Sequence, residues 1–179
     1  MIRYFPLLAP FVNCGPYGTR GGGMHYGVDL CAPTGTTVIA VDDGTVTYGT
    51  DTLGGNTAVL HAKDGNAYYY AHMLDVQSGS RSVSAGDAIG HVDMTGNAQG
   101  TVPHTHFEWW PTGTFQRPAP DPTEQLTAAP QWGGPSPGPA PVTSSRSYVG
   151  TVFAALGIVA ASGAIAWAIR RPVRRPARA

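Results

Sequence analysis

Short runs of β-branched and aromatic residues fill residues 24–111 of this 179-residue chain. Such residues pack well on a pleated sheet, and no stretch of ten residues there keeps a helical spacing of apolar side chains. The runs read TTVIAV, GTVTYGT, NTAVLHA, NAYYYAHM, DAIGHV and THFEWW. Glycine-containing dipeptides of the kind that favours tight hairpins lie beside them, at Asp43-Gly44, Gly54-Gly55 and Asp64-Gly65. We therefore predict a mainly β domain.

The distribution of charge argues against nucleic-acid binding. The chain has eleven basic and eleven acidic residues, but five of the arginines lie within residues 170–179. Residues 1–147 carry six basic and eleven acidic side chains, a net charge of −5. Because a negative domain does not attract a phosphate backbone, we expect no nucleic acid among the partners.

An apolar segment without a charged residue covers residues 148–169. As a helix it would span about 33 Å, enough to cross a hydrocarbon layer of roughly 30 Å. We predict a transmembrane helix here and a basic cytoplasmic tail at residues 170–179, since arginines next to a span stay inside. The expected location is the cell membrane, with a single pass and residues 1–147 outside. The opposite orientation would require five arginines to cross the bilayer.

Two features of this topology stay open. The start of the chain, MIRYFPLLAPF, has one arginine and an apolar run interrupted by Pro6 and Pro10, so it makes a poor signal peptide and the export route is undefined. Small residues four apart within the predicted span, such as Gly157 and Ala161, would let two helices approach closely. Helix-mediated self-association is therefore an option.

Residues 118–147 contain eight prolines together with glycine, serine and threonine. Because this composition offers little apolar surface for a core, we predict a semi-extended linker between the β domain and the membrane. Cys14 and Cys31 are the two thiols of the chain. They would form one disulfide in an oxidising compartment, or else be two small buried apolar side chains.

Four of the six histidines and one aspartate lie in short motifs, which are HYGVD with His25 and Asp29, YYYAHM with His72, and HTHFEWW with His104 and His106. Side chains two apart on a strand share a face about 7 Å apart, so His104 and His106 can address one centre. Phe107 would then point to the opposite face and pack in the core.

A metal centre is the simplest use for these motifs. An extended chain would hold His25 and Asp29 about 13 Å apart, too far for one ion, so the chain must bend between them, most readily at Gly27. Two imidazoles and a carboxylate suit Zn²⁺, which in catalytic sites keeps three protein ligands and an open position. The remaining motif histidines would carry protons.

In order along the chain, these motifs resemble those of the M23 family metallopeptidases, the lysostaphin-like peptidoglycan endopeptidases. The resemblance runs from about Met24 to Trp109 and rests on HYGVD, APTGT, YAH, VSAGDAIGHV and HTHFE. It implies an antiparallel β-sheet or barrel-sandwich-like domain with a groove over the sheet. It also implies one Zn²⁺ per domain, with the ligands His25, Asp29 and His106 and the catalytic histidines His72 and His104.

The function implied by this resemblance is zinc-dependent hydrolysis of peptide bonds in the stem peptides or cross-bridges of peptidoglycan. The implied layout is an N-terminal extension at 1–23, an M23-like peptidase domain at 24–117, a Pro-rich linker at 118–147, a transmembrane helix at 148–169 and a basic tail at 170–179. A tyrosine that assists some family members lies upstream of the first ligand, and Tyr17 and Tyr26 are the candidates.

Two other functions compete with this one. A catalytically silent, wall-binding or regulatory family member would keep the fold, although the five motif residues are all present. A lipoyl- or biotinyl-type carrier would need a lysine at a hairpin tip, where Lys63 is the candidate, but would have no use for clustered histidines. His61 and His91 lie outside the motifs and are expected to be structural or exposed. Glu108 shares the His104/His106 face, where it would either hold a ligand in place through a hydrogen bond or be simply solvated or paired.

Overall fold

The computed structural model describes residues 1–8, 10–75 and 77–135. This part of the chain forms eleven β-strands and one short α-helix. The strands are β1 Val12–Gly15, β2 Gly18–Arg20, β3 Gly23–His25, β4 Val28–Cys31, β5 Thr37–Ile39, β6 Gly44–Asp51, β7 Gly55–Ala62, β8 Ala67–Met73, β9 Gly79–Val83, β10 Ala88–His91 and β11 His104–Trp110. Helix α1 covers Thr123–Ala128, and a single 3₁₀ turn covers Gly96–Ala98.

Seven strands form one antiparallel sheet in the order β1-β4-β11-β8-β7-β6-β9. The hairpins β6–β7 and β7–β8 turn at Gly54-Gly55 and Asp64-Gly65, which confirms two of the predicted turns. Asp43-Gly44 also lies at a bend between two strands, but not in a tight hairpin, because it links β5 to β6 and these strands belong to different sheets. Strand β5 pairs with β10, and β2 pairs with β3 as a separate hairpin.

The core lies on one face of the large sheet. Tyr68 and Tyr70 of β8 and Phe107 of β11 are fully buried there, together with Val38 of β5 and Ile89 just inside β10. The alternation predicted for β11 is confirmed, since Phe107 packs in the core while the motif histidines take the other face. The second face of β4, β11 and β8 is thereby left to form a groove.

The flanking segments pack against this core. At the N-terminus, Ile2, Phe5 and Leu7 are buried in it. Residues 118–135 differ from the predicted extended linker, because Leu126 of α1 joins the core and Ala119 lies in a second apolar cluster with Trp110. A few apolar side chains suffice to fix a proline-rich segment onto a core that other strands have already built.

Cys14 and Cys31 form a disulfide with a Cα–Cα distance of 5.8 Å, which joins β1 to β4. This settles the alternative left open by the sequence in favour of the cross-link.

The predicted transmembrane helix at 148–169 and the basic tail at 170–179 lie outside the described residues. Within the residues that are described, no helix is both long enough and apolar enough to cross a membrane.

Candidate active site

An open groove of about 840 Å³ runs over the free face of β4, β11 and β8. Its floor holds all five motif residues singled out from the sequence, namely His25, Asp29, His72, His104 and His106. Four large apolar side chains at its edges are 40% to 67% exposed, and these are Met24, Leu53, Val102 and Phe115. The groove therefore combines a polar centre with apolar edges.

Strand register brings two of the proposed ligands together. His106 of β11 lies directly opposite Asp29 of the antiparallel neighbour β4. His25 ends β3, and the chain bends at Gly27 before β4 begins. A side chain at Gly27 would collide with the backbone of Phe107 at 2.5 Å and with the His106 ring at 2.6 Å. Glycine thus allows the bend to lie directly against the His106 ring.

Three potential ligand atoms converge in this place. His25 Nε2, His106 Nδ1 and Asp29 Oδ1 lie 2.9–3.0 Å from one another. Within the described residues, these three side chains form the one group of histidines, cysteines and acids close enough to share an ion.

Each imidazole of the triad has an outer nitrogen, which faces away from the other two ligand atoms, and an inner nitrogen, which faces them. The hydrogen bond of the outer nitrogen determines whether the inner one is free to bind a metal. His25 Nδ1 lies 2.9 Å from the carbonyl oxygen of Pro16, and His106 Nε2 lies 2.9 Å from Glu108 Oε1. Because a carbonyl or carboxylate oxygen only accepts, each of these outer nitrogens carries the hydrogen, and the inner nitrogen of a neutral ring presents a lone pair. Two lone pairs and a carboxylate oxygen then face one point, which is the donor set of a Zn²⁺ ligand triad.

The charges around the triad favour a cation. Burial alone would raise the pKa of Asp29, but its polar contacts with the rings of His106 and His25 outweigh it and hold that pKa well below its ordinary value. Burial alone would lower the pKa of His106, but Asp29 and Glu108 outweigh it and raise that pKa. A pocket that attracts a proton between two carboxylates also attracts a metal ion, which displaces that proton on binding.

The second pair of histidines lies beside the triad. The rings of His72 and His104 are 4.8 Å apart, and His104 Nε2 is 3.9 Å from Asp29 Oδ1. Their Nδ1 atoms donate to backbone carbonyls, His72 to Thr95 at 2.9 Å and His104 to Val102 at 2.8 Å. Both rings therefore turn Nε2 toward the groove. Burial and the neighbouring His104 lower the pKa of His72 to about 4, so it is a neutral imidazole at neutral pH.

His72 reaches the groove through an irregularity. Simple alternation along β8 would put it on the core face with Tyr68 and Tyr70. The pairing of β7 with β8 shifts between Asn56 and Ala58, and His72 has a φ of 64°. This left-handed conformation is uncommon for residues other than glycine, although asparagine, aspartate and histidine adopt it more often than the rest. This bulge turns the imidazole to the groove face.

Two arginines belong to the site but carry no motif signal. Arg20 of β2 donates from Nη1 and Nη2 to Asp29 Oδ2 at 3.1 and 3.0 Å. Arg117 forms an ion pair with Glu108, the residue that accepts from His106. The expected support by Glu108 is thus present. Both arginines lie on segments that reach the groove only through the tertiary fold, so their spacing from the motifs in the sequence does not predict that they belong to the site.

The other residues considered from the sequence lie elsewhere or play another part. Tyr17 donates its hydroxyl to the carbonyl of Ala119, whereas Tyr26 lines the groove. His61 is exposed on β7, and His91 pairs with Asp75 at 2.9 Å, away from the triad.

Comparison with known proteins identifies the family of this chain. The model of peptidase family M23 matches residues 23–118, more than half of the chain. The chain therefore belongs to peptidase family M23.

Individual relatives agree with this assignment. The glycyl-glycine endopeptidase ALE-1 of Staphylococcus capitis is 37% identical over 121 residues, which cover 64% of this chain and 33% of that enzyme. The DD-carboxypeptidase/endopeptidase Mpg of Neisseria meningitidis serogroup B is 35% identical over 109 residues, covering 59% of this chain and 25% of that protein. This chain thus matches at most a third of the length of either relative.

The same likeness holds in three dimensions. The catalytic domain of lysostaphin from Staphylococcus simulans superposes with a TM-score of 0.54 at 35% identity, covering 65% of this chain and 90% of the domain. The predicted family and its antiparallel β fold are confirmed.

Proposed function

We propose that this chain is a zinc-dependent endopeptidase that hydrolyses peptide bonds in the stem peptides or cross-bridges of peptidoglycan. The observation that carries the proposal is the convergence of two imidazole lone pairs and one carboxylate oxygen on a single point in an open groove. His25, Asp29 and His106 would hold the ion. A zinc ion in such a site polarises a carbonyl and makes hydroxide available near neutral pH.

The remaining histidines would move protons. His72 is neutral near pH 7, and its Nε2 is free because Nδ1 donates to Thr95. It is suited to take a proton from the attacking water and return it to the leaving amine. His104 has the same orientation on the opposite side of the pair. Once protonated, its Nε2–H would stabilise negative charge that develops on the carbonyl oxygen.

The groove supports a peptide substrate. It is open along its length, and its apolar edges offer surface to an extended chain. The names of the relatives point to two peptide bonds, one between glycines and one involving D-amino acids. Peptidoglycan contains both types of bond, so the wall is the proposed substrate and the bond is what the experiment must identify.

We also propose that residues 148–169 anchor the chain in the cell membrane, with the β domain outside and the arginine-rich tail inside. The uncharged length of this segment and the disulfide both support the proposal, because disulfides persist in oxidising compartments. Paired small residues would further allow two anchors to associate. Protease treatment of intact spheroplasts tests the orientation: residues 1–147 should be digested, and their protection would contradict it.

Digestion of purified peptidoglycan tests the enzymatic proposal. The zinc-loaded chain is incubated with sacculi that have glycine cross-bridges and with sacculi that have direct cross-links, and the released fragments are identified by mass spectrometry. We expect new amine termini at one class of peptide bond, and we expect a chelator to prevent them. Absence of cleavage by zinc-loaded protein on both substrates would instead favour a catalytically silent family member.

A further inference from the structure

Glu108 is a buried charge beside the site whose hydrogen-bonding capacity is fully used. The residue is 2% exposed, and each of its two oxygens accepts two hydrogen bonds. Oε1 accepts from His106 Nε2 and Arg117 Nη2, both at 2.9 Å. Oε2 accepts from Trp110 Nε1 and Arg117 Nη1, both at 2.8 Å. A carboxylate offers about four acceptor positions, so all of them are in use.

Arg117 supplies two of these four bonds from the segment that follows β11. Its guanidinium grips Glu108 through both terminal nitrogens, the geometry in which arginine binds a carboxylate most firmly. The same group lies 4.9 Å from the ring centre of Tyr26, which directly follows His25, and 4.5 Å from that of Phe115. Arg117 therefore contacts a partner of His106 on one side and the neighbour of His25 on the other.

From these contacts we infer that Arg117 is a positioning residue for the metal centre, acting on His106 through Glu108. The inference rests on the proposed function. Without Arg117, two acceptor positions of a buried carboxylate lose their donors, and Glu108 gains by turning toward water. His106 Nε2–H then has no fixed acceptor. Its ring is free to rotate or to move the hydrogen to Nδ1, which removes the lone pair from the ligand triad.

The first test is the zinc affinity of the 179-residue chain, measured by competition with a chromogenic chelator. Loss of a partner behind a ligating histidine weakens metal binding by about 10- to 100-fold, and we expect Arg117→Ala and Glu108→Gln to fall in this range. Arg117→Lys keeps the charge but not the two-pronged geometry, so its affinity should lie between wild type and Arg117→Ala. The double variant Arg117→Ala/Glu108→Gln should bind zinc no more weakly than Glu108→Gln alone, because both substitutions act on His106 through Glu108.

Arg3→Ala is the matched control. Arg3 is also a partly exposed arginine in an ion pair with a carboxylate, Asp43 at 3.0 Å, but it lies outside the groove. Its removal should leave the zinc affinity unchanged. Thermal unfolding of the zinc-free proteins shows whether each variant folds, and guanidinium ions at low concentration should restore the affinity of Arg117→Ala, whereas ammonium ions should not. Rescue of this kind is not expected if the substitution merely damages the fold.

A second readout does not depend on zinc. The nitrogen chemical shifts of His106 in the zinc-free protein at alkaline pH report which nitrogen carries the hydrogen. We expect the Nε2–H form in wild type and a mixture in Arg117→Ala. If wild type binds no zinc, the proposed function fails while this measurement still tests the inference. If wild type binds zinc and Arg117→Ala equals it in both affinity and hydrogen position, the inference is overturned and the proposed function stands.

Discussion

The two halves of the groove floor treat their histidines in opposite ways. On the β4–β11 side, His106 lies between the carboxylates of Asp29 and Glu108, which raise its pKa. On the β8 side, the ring of His72 donates to the Thr95 carbonyl, and burial lowers its pKa to about 4. The same residue type is thus prepared to hold a cation in one case and to stay neutral in the other. We call His25, Asp29 and His106, which are proposed to hold the ion, the metal half, and His72 with His104, which are proposed to carry protons, the proton half.

The backbone differs between the halves as well. His106 lies on a regular ladder with β4, where register alone puts it opposite Asp29. His72 lies at a bulge with a left-handed backbone conformation. Regular strands can position ligand atoms accurately enough to bind one ion. A side chain that must leave the face set by its strand requires local backbone strain, and such strain tends to be kept where function requires it.

The largest expected effect is loss of the metal half. His106→Ala removes one of the three proposed ligands, so the chain should lose stoichiometric zinc and all measurable hydrolysis of peptidoglycan. Elemental analysis and release of muropeptides check the two losses. His61→Ala, an exposed histidine on β7, is the control and should keep both. Equal losses from both variants would contradict the assignment of the metal half.

The proton half should lose activity without losing metal. His72→Asn removes the imidazole but suits the left-handed backbone, which asparagine tolerates. General acid–base groups contribute about 10²- to 10⁴-fold to rate, so kcat should fall by that factor while zinc content stays at the wild-type level. His104→Ala should behave in the same way. A parallel loss of zinc in these variants would erase the distinction between the two halves.

Removal of the disulfide should destabilise the strands of the metal half more than the rest of the sheet. Cys14–Cys31 joins β1 to β4 with a sequence separation of 17, and a loop of this size contributes about 3 kcal/mol of stability. The variant Cys14→Ser/Cys31→Ser should lose about this amount in urea unfolding. Amide hydrogen exchange should accelerate in β1 and β4 more than in β7. A uniform acceleration over all strands would show that the cross-link does not favour one half.

The smallest expected effect is a pH-dependent loss of stability that belongs to His72. Its folded-state pKa of about 4 lies below its ordinary value of 6.5, so the unfolded chain takes up the proton first. Stability is therefore complete above pH 6.5 and falls as the pH drops toward 4. The difference between the two pKa values corresponds to at most about 3 kcal/mol, and solvent screening of the ring lowers this to on the order of 2 kcal/mol. In urea unfolding of the zinc-free protein, His72→Asn should show a shallower decline over this range. An unchanged slope would mean that His72 is not the buried neutral group.

Much of the metal half could be predicted from the sequence. Alternation puts His104 and His106 on one face, and the distance between His25 and Asp29 requires the bend that occurs at Gly27. Both are consequences of regular local geometry. The register that sets Asp29 opposite His106 is a long-range pairing that local geometry does not give. Only the family resemblance implied that the two residues share a site.

The position of His72 in the proton half and the supporting arginines could not be derived in this way. Strict alternation along β8 would leave His72 in the core. The β-bulge changes the register at this point, and a single sequence carries no signal that predicts a bulge. Arg117 follows its partner Glu108 by nine residues across a turn. Neither the helical nor the strand repeat of side-chain directions relates two residues placed in this way. The proline-rich composition of residues 118–135 concealed the docking of Leu126, since one apolar side chain hardly changes a composition.

X-ray absorption at the zinc edge tests the metal centre most directly. In the zinc-loaded chain we expect nitrogen and oxygen neighbours at about 2.0–2.2 Å, with the multiple-scattering pattern of two imidazoles, which falls to one in His106→Ala. Sulfur neighbours at about 2.3 Å, or an unchanged pattern in His106→Ala, would mean that zinc binds elsewhere and would contradict the triad of His25, Asp29 and His106.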